Sequence, residues 1–176
     1  MAKVMKTISI VFFFLTIVFV LLYQIIDSNV ILSLAITFGT IAYHFIARLL
    51  VGALYSSIIK NKGDYTKKWY QVSDFEMKIY QRLKVKKWKN KMPTYNMDTF
   101  DISKHSWDEI AQATCQSELV HETNVIVSFL PVAASIWLGE FWVFFITSVL
   151  SAVFDSMFVF MQRFNRARIL KVMAKR

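Results

Sequence analysis

Glu118 and His121 are three residues apart, and Thr114 lies four before Glu118, so all three share one face if the segment is helical. An imidazole oriented by a carboxylate is what a general base needs to take a proton from a hydroxyl, so Glu118 and His121 are read as a catalytic pair. Arg163 and Arg166 follow the last apolar run, and Arg48 lies near the end of an earlier one. Guanidinium groups there, with Lys89, suit a phosphate or a developing oxyanion. His44 and Asp155 are ionisable residues inside apolar runs, which are expensive in a membrane and mark function by default. The plainer alternatives are a histidine bonded to a neighbouring helix, and an aspartate that partners His44 or an arginine rather than acting as an acid. Cys115 offers a thiol, but a free cysteine is more often a small buried hydrophobe. His121-Glu122 opens like the zinc-binding HExxH pattern, yet position 125 is valine, and no metal is expected.

These groups need a scaffold, and composition says which kind. The chain has 176 residues, 56% hydrophobic and 19% charged, with a mean hydropathy of +0.42. That is more apolar and less charged than soluble domains, which excludes an ordinary soluble enzyme. One cysteine permits neither an internal disulfide nor a CxxC site. Residues 8–26 form an uncharged run long enough to span about 30 Å of hydrocarbon. A cleaved signal peptide fits less well, because the run is long and Asp27-Ser28-Asn29 offers no small-residue cleavage site. Further runs cover residues 30–50, extending to about 59, then 124–138 with Pro131, and 141–161. Gly139-Glu140 is the turn before the last. The expectation is one all-α membrane domain, 1–176, with four crossings and a helical interfacial segment at 60–123.

His44 and Asp155 each lie fifteen residues into their run, about 22 Å from the opposite face at 1.5 Å per residue. All but one of the 21 basic residues, the exception being Arg48, fall at the N-terminus, between Lys60 and Lys104, or from Arg163 onward. Only Asp27 and Glu140 mark the other side, so the positive-inside rule makes both termini and the middle segment cytoplasmic. The formal net charge of +9 suits anionic lipid or phosphorylated ligands. Within 66–89, Trp69, Val72, Phe75, Ile79 and Leu83 form one helical stripe among lysines, the pattern of a helix lying in the headgroup region. No RNP, helix-turn-helix or finger pattern accompanies it, so nucleic acid is not expected. Residues 91–101 are turn-rich, and Ser106-Trp107-Asp108-Glu109 opens a helix that can run into the third apolar run.

Three blocks, in order and spacing, carry a resemblance. They are Phe75 to Pro93 ending in WKNKMP, the SELVH block (Ser117 to His121) followed by Leu130-Pro131, and QRFNRARIL (Gln162 to Leu170). Together they resemble the glycosyl-4,4'-diaponeurosporenoate acyltransferases, small multi-pass bacterial membrane proteins of carotenoid (staphyloxanthin) biosynthesis, from about Trp69 to the C-terminus. The resemblance implies esterification of a sugar hydroxyl on a carotenoid glycoside with a fatty acyl chain. It also implies that Trp88, Lys89, Glu118, His121, Gln162, Arg163, Asn165 and Arg166 belong to the site. The chain departs from the family pattern at Ala113, Gln116, Glu122 and Ala167. The expected partners are the bilayer of a bacterial cell membrane, a glycosylated lipid acceptor, and a fatty acyl-CoA or acyl carrier protein thioester as co-substrate, with no cofactor. A bundle of four helices also leaves a homo-oligomer open. Read without the resemblance, the residues leave two other functions open: a scaffold binding anionic lipid, and a small lipid transporter.

Overall fold

The computed structural model describes residues 2–94, 96 and 98–175, and among them all regular structure is helical. Helix α1 spans Ala2–Ile26, α2 Asn29–Ile58, α3 Asp74–Arg82, α4 Val85–Trp88, α5 Trp107–Val127, α6 Ser135–Leu138 and α7 Phe141–Met173. Short 3-10 turns lie at Lys68–Tyr70, Lys89–Lys91, Asp98–Phe100 and Leu130–Ala134. Among the described residues, four helical stretches are long and apolar enough to cross a membrane: Lys3–Ile26, Asn29–Ile58, Trp107–Leu138 and Phe141–Met173. The helical membrane architecture expected from composition is the one observed.

The tight connections fall where the polar residues interrupt the apolar runs. Asp27, at φ 39°, turns the chain between α1 and α2, and Gly139 (φ 68°) with Glu140 (φ 51°) turns it between α6 and α7. The third apolar run is not one straight helix. α5 stops at Val127, and Leu130–Ala134 continues as a 3-10 turn with Pro131 near its start. Proline has no amide hydrogen and clashes with the preceding turn, so it starts the new element rather than continuing the old one.

The middle segment is also broken rather than one amphipathic helix. Ser73 caps α3 by accepting from the Glu76 amide at 3.2 Å, while the Glu76 carboxylate accepts from the Ser73 amide at 3.0 Å. That reciprocal pair fixes the start of α3 at Asp74 and leaves residues 71–73 outside any helix. Lys84, in the left-handed region at φ 53°, then separates α3 from α4. The sequence stripe consequently divides. Val72 and Ile79, with Met77, Trp88 and Phe160, pack on a core of Tyr80, Val85 and Phe164, whereas Trp69, Phe75 and Leu83 are exposed. Of the turn-rich stretch at 91–101, Tyr95 and Met97 lie outside the described residues. A second capping pair, Ser106 with Glu109, opens α5 at Trp107.

The chain forms two compact units. One comprises 52–122 and 155–176, the other 2–51 and 123–154. In the second unit α1 and α2 meet through Phe38, whose ring lies 5.7 Å from Phe12 and 5.1 Å from Phe19. Tyr43 Oη donates to the Val127 carbonyl at 2.9 Å, and Ser128 and Ser151 share a hydroxyl hydrogen bond at 2.9 Å. The outer faces, including Ile10, Phe14, Leu21 and Leu150, are exposed and apolar, as a lipid-facing surface must be.

In the first unit the chain after α2 passes close against α5 at Gly63. A Cβ there would stand 2.5 Å from Cys115 Cβ and 2.9 Å from the Gln112 carbonyl oxygen. The contact includes backbone, so relief requires moving a helix. Gly63→Ala is expected to destabilise the protein by about 1–3 kcal/mol, read as a lowered thermal midpoint in detergent. An unchanged midpoint would show that the approach is looser than drawn.

Candidate active site

The first unit holds His121, Glu118, Asp155, Trp88, Lys89, Gln162, Arg163, Asn165 and Arg166; His44 and Arg48 belong to the second. α5 presents Glu118 and His121 one turn apart, and α7 presents Asp155 and Phe158 one turn apart. His121 sits on that α7 face. Its Nδ1 lies 2.8 Å from Asp155 Oδ1, and its ring stacks on Phe158 with centroids 4.4 Å apart and planes 7° apart. The carboxylate therefore takes one ring nitrogen and the phenyl ring takes one ring face. With Nδ1–H donated to Asp155, the lone pair resides on Nε2. Asp155 is fully buried, while the His121 side chain keeps 19% exposure.

Glu118 does not orient His121 here. Its Oε1 accepts from Arg163 Nη1 at 2.5 Å and its Oε2 accepts from Arg166 Nη2. Glu118 and Arg166 are both fully buried. Arg163 also pairs with Glu76 Oε1 at 2.9 Å and donates to the carbonyls of Trp69 and Gln71, while Arg166 donates to the carbonyl of Tyr70. The reason for this arrangement is local. Residues 69–71 leave a 3-10 turn with no regular element to satisfy their carbonyls; that of buried Tyr70 needs a donor, and those of exposed Trp69 and Gln71 flank it. Two guanidiniums, charge-balanced by Glu118 and Glu76, supply donors to three successive carbonyls. The sequence reading gave Arg163 and Arg166 to a phosphate or a developing oxyanion. In the structure their donors hold the chain against α7, and Arg166 is inaccessible.

Electrostatics outside the spanning helices follow the same network. Burial pushes the Tyr70 phenol up to about 12, with further effect from Cys115 and Glu118, so it stays protonated beneath the Arg166 guanidinium 5.1 Å away. Burial likewise raises Tyr80 to about 12, and its hydroxyl donates to Glu76 at 3.1 Å. Burial works to raise Glu76, but the Ser73 amide and Arg163 outweigh it and hold its carboxyl below the usual range.

The remaining candidates separate. Lys89 Nζ donates to Asn165 Oδ1 at 2.6 Å, bringing α7 to the WKNK block. Trp88 donates its indole N–H to the Leu83 carbonyl at 3.0 Å and packs on the α3–α4 core, and Gln162 is buried on α7. Cys115 is buried at the Gly63 contact. In the second unit, Arg48 donates to Ser151 Oγ at 2.8 Å and to the His44 carbonyl at 3.3 Å, with its guanidinium over Phe45 and Phe154. Among the described residues there is no group of three His, Cys, Asp or Glu side chains able to hold a metal. Sequence reasoning missed Phe158, Glu76 and the 69–71 carbonyls. The spacing of Phe158 three residues after Asp155 was the available signal for the first.

Comparison with known proteins adds one match. The family model described as glycosyl-4,4'-diaponeurosporenoate acyltransferase matches residues 66–175, which contain every member of the His121–Asp155 and Glu118–arginine groups. No curated protein and no solved structure matches.

Proposed function

The chain belongs to the glycosyl-4,4'-diaponeurosporenoate acyltransferase family, acyltransferases of carotenoid biosynthesis, and on that premise we propose that His121 is its general base and Asp155 the residue that positions it. The acceptor in this reading is a sugar hydroxyl of a glycosylated apolar lipid, and the donor is a fatty acyl thioester. The observation that carries it is the 2.8 Å contact of Nδ1 with a fully buried carboxylate, with the ring held flat on Phe158. In the neutral tautomer that donates Nδ1–H to Asp155, Nε2 carries the lone pair that proton abstraction requires.

The step balances without a covalent enzyme intermediate. Nε2 takes the hydroxyl proton as the sugar oxygen attacks the thioester carbonyl. The new C–O bond forms, the C–S bond breaks, and the proton on His121 passes to the departing thiolate. Asp155 stabilises the transient imidazolium and remains a carboxylate throughout. In this reading the basic middle segment and termini face the cytoplasm, as the positive-inside rule favours, where a water-soluble donor arrives, while the acceptor lies in the bilayer.

The test is ester formation by the protein in lipid nanodiscs supplied with a long-chain acyl-CoA and a glucosylated apolar lipid, followed by mass spectrometry. Asp155→Asn is expected to lower kcat on the order of 10²–10⁴-fold, with KM for the acceptor little changed, because an amide favours the wrong imidazole tautomer. The pH–rate profile should lose or shift the limb that wild type owes to the imidazole. A variant with wild-type kcat and profile would overturn the positioning role.

A further inference from the structure

The mechanism leaves a second group of α7 side chains without a task. Phe164, a buried member of the α3–α4 core, has two cations near its ring: Lys89 Nζ and Arg168 Cζ each lie 5.8 Å from its centroid. Lys89 is anchored at 2.6 Å by Asn165 Oδ1, and Lys86 precedes it by one turn at α4. Like charges brought around one ring repel, and burial with Arg168 and Lys86 holds the Lys89 amine below its ordinary value. An anion placed among them turns that repulsion into attraction. Lysine and arginine together suit a phosphate, which accepts from both.

We propose that Lys86, Lys89 and Arg168 form a phosphate-binding site for the acyl donor, held apart from the His121 centre by the length of α7. This rests on the reading of His121 as the base. Asp155, Asn165 and Arg168 lie on one continuous helix, so the site is about 15–20 Å along its axis from the carboxylate that holds His121. A donor whose phosphate adjoins its acyl group, such as an acyl phosphate or a phospholipid ester, cannot reach both places. A thioester on an extended phosphopantetheine arm can, because that arm separates the reacting carbonyl from its phosphate. The same arm serves coenzyme A and acyl carrier protein, and the phosphate is the chemistry common to both.

The experiment measures binding without turnover. 4'-Phosphopantetheine and pantetheine, which differ only in the phosphate, are titrated against the protein in nanodiscs of uncharged lipid. Wild type should bind the phosphorylated probe more tightly. The variant Lys86→Gln/Lys89→Gln/Arg168→Gln should weaken that probe by roughly tenfold or more and leave pantetheine unchanged. A control removing equal charge elsewhere, Lys62→Gln/Lys67→Gln/Lys78→Gln, should alter neither. The single variant Arg168→Gln, at an exposed position, gives the same direction if the triple variant folds poorly. Equal weakening of both probes, an unchanged preference, or an effect of the control as large as that of the site would overturn the assignment. So would a triple variant that loses only its affinity for vesicles containing phosphatidylglycerol, since the site would then serve a lipid headgroup. Because no acyl group is transferred, an active His121→Ala enzyme would end the general-base reading and leave this result standing.

Discussion

His121→Ala yields a folded protein whose ester formation falls by about 10²–10⁴-fold, the contribution expected of a positioned general base. The side chain is partly exposed and its ring makes one stacking contact and one hydrogen bond, so its loss leaves the Glu118–arginine clamp intact. Thermal unfolding of the variant in detergent should therefore lie close to that of wild type apart from the cost of leaving Asp155 without this imidazole. The informative quantity is kcat, since a group used only in the transition state lowers kcat and kcat/KM together. Retention of wild-type turnover would remove His121 from the chemistry. A protein that no longer folds would make the comparison uninformative for His121→Ala, and His121→Gln, which keeps a polar group facing Asp155, then replaces it with the same expected loss.

Glu118→Ala has the opposite signature: the fold fails first. Removing this carboxylate leaves Arg166, fully buried, without its carboxylate partner, and Arg163 with Glu76 alone. Breaking a buried pair by removing one partner costs about 3–5 kcal/mol, a large part of what a small domain has. The expected result is a sharply lowered thermal midpoint and little monodisperse protein in detergent. The carbonyls of Trp69, Tyr70 and Gln71 would lose their donors as the arginines relax, so proteolysis should reach the 66–73 segment. Glu118→Gln should be intermediate, since it keeps acceptor geometry and loses charge. A Glu118→Ala protein as stable as wild type yet inactive would instead return Glu118 to the catalytic role its position beside His121 suggests.

The contrast between these two variants is a contrast between two kinds of legibility. The apolar runs, the turns at Asp27 and Gly139, the helix start at Ser106 and the basic skew are local properties, governed by hydrogen bonding and solvation over a few residues. The blocks SELVH and QRFNRARIL were equally visible, and so was the family they pointed to. The partners of those residues were not. Helical spacing places Glu118 one turn from His121 on the same face, and a reading confined to one element therefore pairs them. Only the packing of α5 against α7 supplies competitors: two arginines for the glutamate, and an aspartate with a phenyl ring for the histidine. In low dielectric a carboxylate goes to the guanidiniums that can neutralise it, and that choice depends on contacts 34 to 48 residues apart in sequence.

The single stripe from Trp69 to Leu83 failed as a continuous helix for the same reason, because Ser73 and the irregular carbonyls at 69–71 find better partners in their cap and in α7 than in a helical ladder. Sequence by itself determined a helical membrane protein of an acyltransferase family. Tertiary structure decided which of the chain's charged side chains pair with which, since charge pairing in a buried site is settled by the neighbours that packing brings, and the linear spacing of residues does not contain them.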